Sequence, residues 1–281
     1  MYLLFDIGGT KTRIAFSEDG KTFEDPEIFL TPENFEEGID LIKSKAKKVI
    51  GGRNLIALAG GIAGSLSKDK KEILILPNIP KWQGKPIVSR LSNAFNLPIF
   101  LENDAALVAL GEAIYGSGKG NKVVAYITLS TGVGGARIVD GKIDVNSFGF
   151  EPGHQIIDFE EAYCSSCGTK GELTDYVSGK SLENRLHKKP QDVKDEKVWD
   201  ELARILAYGI NNVIVFWSPD VVILGGSMMN ESSISIEKVR SYLKGILTIF
   251  PKYSDIKSAS LGDVGGLYGA LVLANSKKDE Y

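Results

Sequence analysis

Short apolar runs alternate along this chain with glycine-rich breaks and with longer stretches of helical periodicity. Tyr2–Phe5 is an apolar run closed by Asp6, and Lys11–Glu18 reads as a second strand. Gly8-Gly9-Thr10 lies between them, and Asp19-Gly20 ends the second. Asp-Gly after a strand-like run is a strong hairpin signal. The same layout returns as Lys122–Leu129, the loop Ser130-Thr131-Gly132-Val133-Gly134-Gly135, Ala136–Val139 and Asp140-Gly141. Thr10 precedes Asp19 by nine positions, and Thr131 precedes Asp140 by nine. Two strand–loop–strand–turn units of equal spacing predict an internal duplication, one unit in each half.

Between and after these units the pattern predicts alternating helices and strands. Asn34–Ile50 has helical spacing after Thr31-Pro32, Leu55–Ala59 reads as a buried strand, and Pro86–Asn96 starts with proline at a helix N1 position. Pro98–Leu101 is a short strand followed by Asn103-Asp104 and the alanine-rich helix Ala105–Tyr115. In the second half, Asp195–Phe216 is a long helix, Val221–Leu224 a strand stopping at Gly225-Gly226, Ile234–Leu247 a helix, and Gly265–Asn275 a last helix. Such alternation means α/β layers. No linker divides the halves, and the boundary is placed near residue 106.

Composition narrows the class. Hydrophobic residues make up 43% and charged residues 25%, the balance of a folded globular chain. A net charge of −3 lacks the basic excess of a nucleic-acid binder. Two cysteines, Cys164 and Cys167, cannot make a disulfide framework for 281 residues and point to a reducing compartment. The opening apolar run is too short for a signal peptide. The most apolar stretch, residues 205–224, is interrupted by Asn211-Asn212 and Ser218-Pro219-Asp220. A cytoplasmic protein without membrane or nucleic-acid partners is expected. Glycine is the outlier, 31 residues with no repeat or linker to absorb them, so they fall in separate tight loops.

A glycine loop after a strand is a dinucleotide fingerprint, a P-loop, or a hairpin that cradles phosphate. The first needs a helix directly after the glycines, and here both loops run into strands. The second needs Gly-x-x-x-x-Gly-Lys-Ser/Thr, which is absent. In the third, glycines let backbone N–H groups approach phosphate oxygens, and Thr10, Ser130 and Thr131 add hydroxyls. One such loop alone reads as an ordinary hairpin, whereas the matched pair favours phosphate binding. A carboxylate at Asp6 would repel that phosphate unless a cation intervenes, and Mg²⁺ suits the position. Glu102-Asn103-Asp104 lies where a strand meets a helix, the usual place for α/β sites. One of Asn103 and Asp104 is needed as the helix cap. The other is available as a base, which phosphoryl transfer to an alcohol requires.

Four segments, Asp6-Ile7-Gly8-Gly9-Thr10-Lys11, Leu101-Glu102-Asn103-Asp104-Ala105, Leu129-Ser130-Thr131-Gly132-Val133-Gly134-Gly135 and Glu151-Pro152-Gly153-His154, occur in the order of the ROK family of sugar kinases and repressors. The resemblance runs on to Leu224-Gly225-Gly226 and Gly262-Asp263-Val264-Gly265-Gly266. It implies an α/β, actin/hexokinase-like, duplicated two-domain fold with a cleft between domains. Residues 1–105 with 264–281 would form the smaller domain and 106–263 the larger. It implies ATP and Mg²⁺ as cofactors and a hexose as substrate. Asp104 would be the base for the sugar hydroxyl, O6 of glucose, with Asn103, Glu151, His154, Gly64 and Asn78 as sugar contacts. Gly8, Gly9 and Thr10, next to Asp6 and Lys11, resemble one phosphate loop, and Thr131, Gly132, Val133 and Gly134 the other. Gly225 and Gly226 resemble the adenosine edge. A homo-oligomer, dimer or tetramer, is implied as well.

The chain departs from the family pattern in two places. The family's zinc motif resembles Cys-x-Cys-Gly-x-x-Gly-Cys-x-Glu with the histidine of the Gly-His pair. Here Cys164 is shifted and Glu172 replaces the last cysteine. Cys164, Cys167 and His154, with Glu172, suit tetrahedral zinc; two thiols in a metal-free loop is the competing expectation. Thr174 stands where many members place a sugar-contacting glutamate, which opens fructose, mannose and N-acetylhexosamines as alternative substrates. A sugar-sensing regulator of the family would carry an N-terminal helix-turn-helix region, and the strand beginning at Tyr2 leaves no room for one. An iron–sulfur activase ATPase on a related fold has only the Cys-x-x-Cys pair in its favour.

Overall fold

The structure is a computed structural model, and it describes residues 1–76, 78–160, 171–229, 234–251 and 254–278. In chain order the strands are β1 (Tyr2–Ile7), β2 (Lys11–Ser17), β3 (Glu27–Leu30), β4 (Ala57–Ile62), β5 (Ser65–Leu66), β6 (Ile73–Ile75), β7 (Ile99–Asn103), β8 (Val123–Leu129), β9 (Val133–Val139), β10 (Lys142–Ile143), β11 (Val221–Gly225) and β12 (Asp255–Ser258). The helices are α1 (Phe35–Ile50), α2 (Ile87–Phe95), α3 (Asp104–Ile114), α4 (Leu173–Val177), α5 (Gly179–Leu186), α6 (Glu196–Trp217), α7 (Ile236–Ile246) and α8 (Gly265–Ser276). Two compact units result. One comprises Met1–Ile114, Val145–Gly149 and Asp263–Tyr281, and the other Tyr115–Asp144 and Phe150–Gly262.

The first unit is built on a five-stranded sheet of order β3-β2-β1-β4-β7. β1 pairs antiparallel with β2 and parallel with β4, and β4 pairs parallel with β7. Leu3, Phe5 and Ile7 of β1 share a buried cluster with Phe35, Ile39 and Ile42 of α1 and with Trp82. Trp82 is fully buried, and its indole N–H donates to the Pro32 carbonyl at 3.0 Å. α1 starts where expected, because the Asn34 side chain caps the N–H groups of Glu36 and Glu37. α3 and α8 pack against each other and against β4.

The second unit repeats the plan, with order β10-β9-β8-β11-β12. The two sheets have the same sequence of antiparallel and parallel pairings, so the expected duplication is present in the topology. Ala125, Ile127 and Leu129 of β8 lie in one cluster with Leu206 and Ile210 of α6 and with Val239 and Leu243 of α7. Asp140 and Gly141 close the β9–β10 hairpin with φ of 48° and 71°. Positive φ at both central residues is what a tight hairpin turn requires.

The strands extend further into the glycine loops than the sequence pattern predicts. β9 begins at Val133 and includes Gly134 and Gly135, which read as loop, and β4 runs over Gly60 and Gly61 to Ile62. A Cβ on Gly60 would collide with Phe5 of the neighbouring strand, so glycine here serves strand packing. β3, β5, β6, β10 and β12 have four residues or fewer each and leave no periodic signal. No helix among the described residues is long and apolar enough to cross a membrane.

Candidate functional site

In the first unit the sheet brings Asp6, the Gly8–Lys11 loop, Asn78, Gly64 and Asn103-Asp104 to the ends of β1, β4 and β7. Asp6 faces Arg13 across the β1–β2 pair, and its Oδ2 lies 3.7 Å from Arg13 Nη1. Arg13 Nη2 also donates to the exposed Asp263 at 3.1 Å. Only 16% of the Asp6 side chain is exposed. Burial pushes its carboxyl up to about 6, opposed by Arg13 and assisted by the Asp263 charge. Gly266, in the first turn of α8, approaches this carboxylate so closely that a Cβ would lie 3.1 Å from Asp6 Cγ.

The loop above Asp6 is short and internally bonded. The Gly8 N–H donates to the Lys11 carbonyl at 3.0 Å, and the Thr31 hydroxyl donates to the Gly8 carbonyl at 2.9 Å. Thr10 and Lys11 are exposed. A Cβ on Gly9 would lie 2.5 Å from Cβ of Asn78, so Asn78 packs directly on this loop. The sequence places Asn78 among the sugar contacts, and in the structure its side chain lies against Gly9 of this loop.

Asn103 ends β7 and Asp104 begins α3. Asn103 Oδ1 accepts the Ala106 N–H at 3.1 Å and so caps the helix. Its amide nitrogen donates to the Gly64 carbonyl at 2.9 Å. Gly64 has φ +89°, and a Cβ there would strike the Ile75 carbonyl. Of the two capping candidates Asn103 takes the role, and Asp104 receives the Ala105 N–H at 2.8 Å in the first helical turn. One arrangement was missed. Glu102 accepts the Asn103 N–H at 2.9 Å through one oxygen and pairs with Lys70 through the other.

In the second unit Ser130, Thr131 and Gly132 link β8 to β9. Thr131 and Gly132 are exposed, Gly134 is half-buried and Val133 is buried. The Ser130 carbonyl accepts the Gly179 N–H at 2.7 Å, and the Thr131 carbonyl accepts the Lys180 N–H at 3.3 Å, so α5 braces the loop. Gly225 and Gly226 follow β11, and a Cβ on Gly226 would strike the Leu129 carbonyl. The adenosine-edge candidates are thus packed beneath the second loop. The Ser227 and Ser130 hydroxyls lie 3.2 Å apart.

Glu151 and His154 flank a single turn of helix over Pro152–His154. Desolvation raises the Glu151 carboxyl above its usual range, and His154 pulls it back. His154 Nδ1 lies 2.8 Å from Glu172 Oε2. A carboxylate accepts, so Nδ1 carries the proton and Nε2 is left for a ligand. Glu172 is 7% exposed and the imidazole 52%. Thr174 lies on α4, and its hydroxyl is the nearest group to the open side of Gly132, 3.9 Å from where a Cβ would sit. Asp175 is fully buried, where it accepts the Glu172 N–H at 3.4 Å. Cys164 and Cys167 lie outside the described residues, and among the described residues no three His, Cys, Asp or Glu side chains form a metal-binding group.

Asp6 fits Mg²⁺ by its donor chemistry. It is one largely buried carboxylate whose charge burial disfavours, beside a loop suited to phosphate oxygens. Mg²⁺ is commonly held in this way, by one or two carboxylates, substrate phosphates and water.

Comparison with known proteins places the chain. The sequence pattern of the ROK family matches residues 2–277. A glucokinase from Streptomyces coelicolor is 27% identical over 305 aligned residues, covering 96% of this chain and 96% of its own. A xylose repressor from Caldicellulosiruptor bescii is 27% identical over 270 aligned residues, covering 84% of this chain and 67% of its own. Among solved structures, a ROK hexokinase from Thermus thermophilus matches with a TM-score of 0.86 at 28% identity, over 100% of this chain and 99% of that one. A ROK family glucokinase from Streptomyces griseus, in complex with glucose and AMPPNP, matches with a TM-score of 0.81 at 26% identity, over 98% and 99%. The fold is therefore the actin/hexokinase-like one, and the chain, matched from its second residue nearly to its end, belongs to the ROK family.

Proposed function

We propose that the protein phosphorylates a hexose with ATP, glucose at O6 in the first instance, with Asp104 as general base. The observation that supports this most is the division of labour at the end of β7. Asn103 caps α3 and holds the Gly64 carbonyl, so that the adjacent carboxylate need not serve as the cap. Asp104 accepts the hydroxyl proton as the oxygen attacks the γ-phosphorus. Such base catalysis is typically worth about 10²- to 10⁴-fold. Glu151 and His154 offer an acceptor and a ring nitrogen to sugar hydroxyls. A substrate lacking those hydroxyls would forgo these contacts.

The Gly8–Thr10 and Thr131–Gly134 backbones bind phosphate oxygens through N–H groups and threonine hydroxyls. Asp6 would hold Mg²⁺, directly or through water. When bound, the ion neutralises phosphate charge and orients the transferring group. Glucose and the nucleotide analogue AMPPNP are the ligands in the Streptomyces griseus structure, which favours glucose and ATP here. Thr174 keeps another hexose or an N-acetylhexosamine as the alternative substrate. An enzyme that draws on ATP also suits the cytoplasm.

Zinc held by His154, Cys164 and Cys167 stays a separate proposal, tested by metal analysis of protein purified without added zinc; clearly substoichiometric zinc rejects it. A homodimer or homotetramer is checked by light scattering.

The xylose repressor supports a second reading, a sugar-responsive regulator. ADP release measured over a panel of sugars separates the two. Turnover stimulated by glucose and lost in Asp104→Asn is expected for the kinase. If no sugar stimulates ATP turnover, or if the Asn variant keeps wild-type kcat, the kinase reading fails.

A further inference from the structure

Lys70 has no part in the reaction proposed above, yet two observations single it out. Its φ is +58°, in the left-handed region that side-chain-bearing residues seldom adopt. It stands in the turn of the β5–β6 hairpin. There its N–H donates to the Ser67 carbonyl at 2.7 Å, and the Ser67 hydroxyl accepts the N–H groups of Lys71 and Glu72 at 3.1 and 3.0 Å. Second, from this turn its ammonium reaches Glu102, whose side chain is only 8% exposed, while the Lys70 side chain is 38% exposed. A carboxylate so buried needs a partner, since an uncompensated charge in that place is strongly penalised.

Glu102 is a junction. One oxygen takes the Lys70 ammonium and the other the Asn103 N–H. Asn103 in turn binds the Gly64 carbonyl, immediately before β5, and caps α3 at Ala106. The hairpin is therefore tied to the end of β7 at its stem, through Gly64 and Asn103, and at its tip, through Lys70 and Glu102. The chain leaving β6 leads within a few residues to Asn78, which packs on Gly9.

We infer that Lys70 is a positioning residue: it latches the β5–β6 hairpin to Glu102 and so fixes the backbone from Asn103 into the first turn of α3, on which Asp104 stands. The inference rests on Asp104 being the base, and the turn that holds Lys70 in its left-handed conformation is the one from which its ammonium meets Glu102. Misplacement of a reacting group by about 1 Å can cost about a hundredfold in rate, so a latch of this kind acts on kcat.

Lys70→Gly is the informative variant, because glycine suits the left-handed turn and so removes the ammonium without straining the backbone. Its kcat for sugar phosphorylation should fall about five- to fiftyfold. KM for ATP should stay within about twofold, and the Tm lost when Glu102 is left without its partner should be recovered in Lys70→Gly/Glu102→Gln. Lys70→Arg should restore most of the loss. Glu102→Gln should reproduce the loss, and the double variant Lys70→Gly/Glu102→Gln should be no worse than the poorer single one, as two members of one interaction require. A Lys70→Gly enzyme with wild-type kcat, or losses that multiply in the double variant, overturns the inference.

Hydrogen exchange tests the tie without substrate. The Asn103 and Ala106 amides should exchange faster in Lys70→Gly, and wild-type protection there overturns the latch. Should the wild-type chain phosphorylate no sugar, the proposed reaction falls, and hydrogen exchange alone then decides whether Lys70 sets this segment.

Discussion

The two glycine loops sit on sheets of identical order but differ in what lies beneath them. Under the Gly8–Lys11 loop, β1 carries Asp6, a largely buried carboxylate pushed up to about 6 and faced by Arg13. Under the Thr131 loop, β8 has no acidic residue, and Ile127 and Leu129 are buried in an apolar core. The last strands differ likewise. β7 ends in Glu102-Asn103 and runs into Asp104, whereas β12 ends at Ser258 and is followed by Ala259 and Ser260. Duplication supplied the same backbone twice. Carboxylates stand at the loop ends of β1 and β7 in the first copy and not at the matching ends of β8 and β12 in the second, and it is there that we propose the cation site and the base.

That asymmetry can be broken at several points. The largest effect is expected for Asp104→Asn, a fall in kcat of about 10²- to 10⁴-fold with KM for the sugar little changed, measured by coupled ADP release. Asp6→Asn should cost activity and add stability. A rise from 3.8 to about 6 on folding means that the ionised carboxylate disfavours the native state by about 3 kcal/mol at pH 7. This contribution favours folding most below pH 4 and is lost as pH rises through 6. Urea denaturation at pH 4 and pH 7 should therefore show a smaller decline for Asp6→Asn than for wild type. Equal declines would mean that Asp6 is not the strained group.

A smaller effect is expected for Gly64→Ala, which forces a Cβ against the Ile75 carbonyl at positive φ. It should lower stability by about 2 kcal/mol in denaturant titrations and reduce kcat through Asn103. The smallest effects belong to Thr10→Ala and Thr131→Ala. Each should raise KM for ATP by about three- to tenfold, the loss of one hydrogen bond to a charged group. Near-equal values would show that the loops work alike despite the unequal charge beneath them; a silent Thr131→Ala would confine phosphate binding to the first loop.

Much of the fold was legible because it repeats. The nine-residue spacing from Thr10 to Asp19 and from Thr131 to Asp140 anticipated two sheets of the same order. Helices with a capping residue, such as α1 behind Asn34, were found nearly to the residue. The short strands were not, since two to four residues hold no periodicity and are set by the strand beside them. Gly60 and Gly134 misled for a related reason. Glycine usually marks a loop, but here neighbouring strands approach too closely for a side chain or simply continue through it.

The Asp6–Arg13 pairing was within reach of the sequence, for in a tight hairpin the partner of Asp6 can be counted across the loop. Lys70–Glu102 was not, since it joins residues 32 positions apart. His154 and Glu172 were grouped from the sequence only as zinc ligands, and the structure pairs them with each other.

By itself the sequence determined the α/β class, the duplication, the positions of the glycine loops and the family to which its motifs belong. These are local properties, written in spacing and turn chemistry. The tertiary structure decided which of Asn103 and Asp104 caps the helix, that Asn78 packs on Gly9, that Asp6 is strained by burial, and that Lys70 reaches Glu102. Each depends on which distant segments come together and how much water is excluded, and neither leaves a mark in the order of residues along the chain.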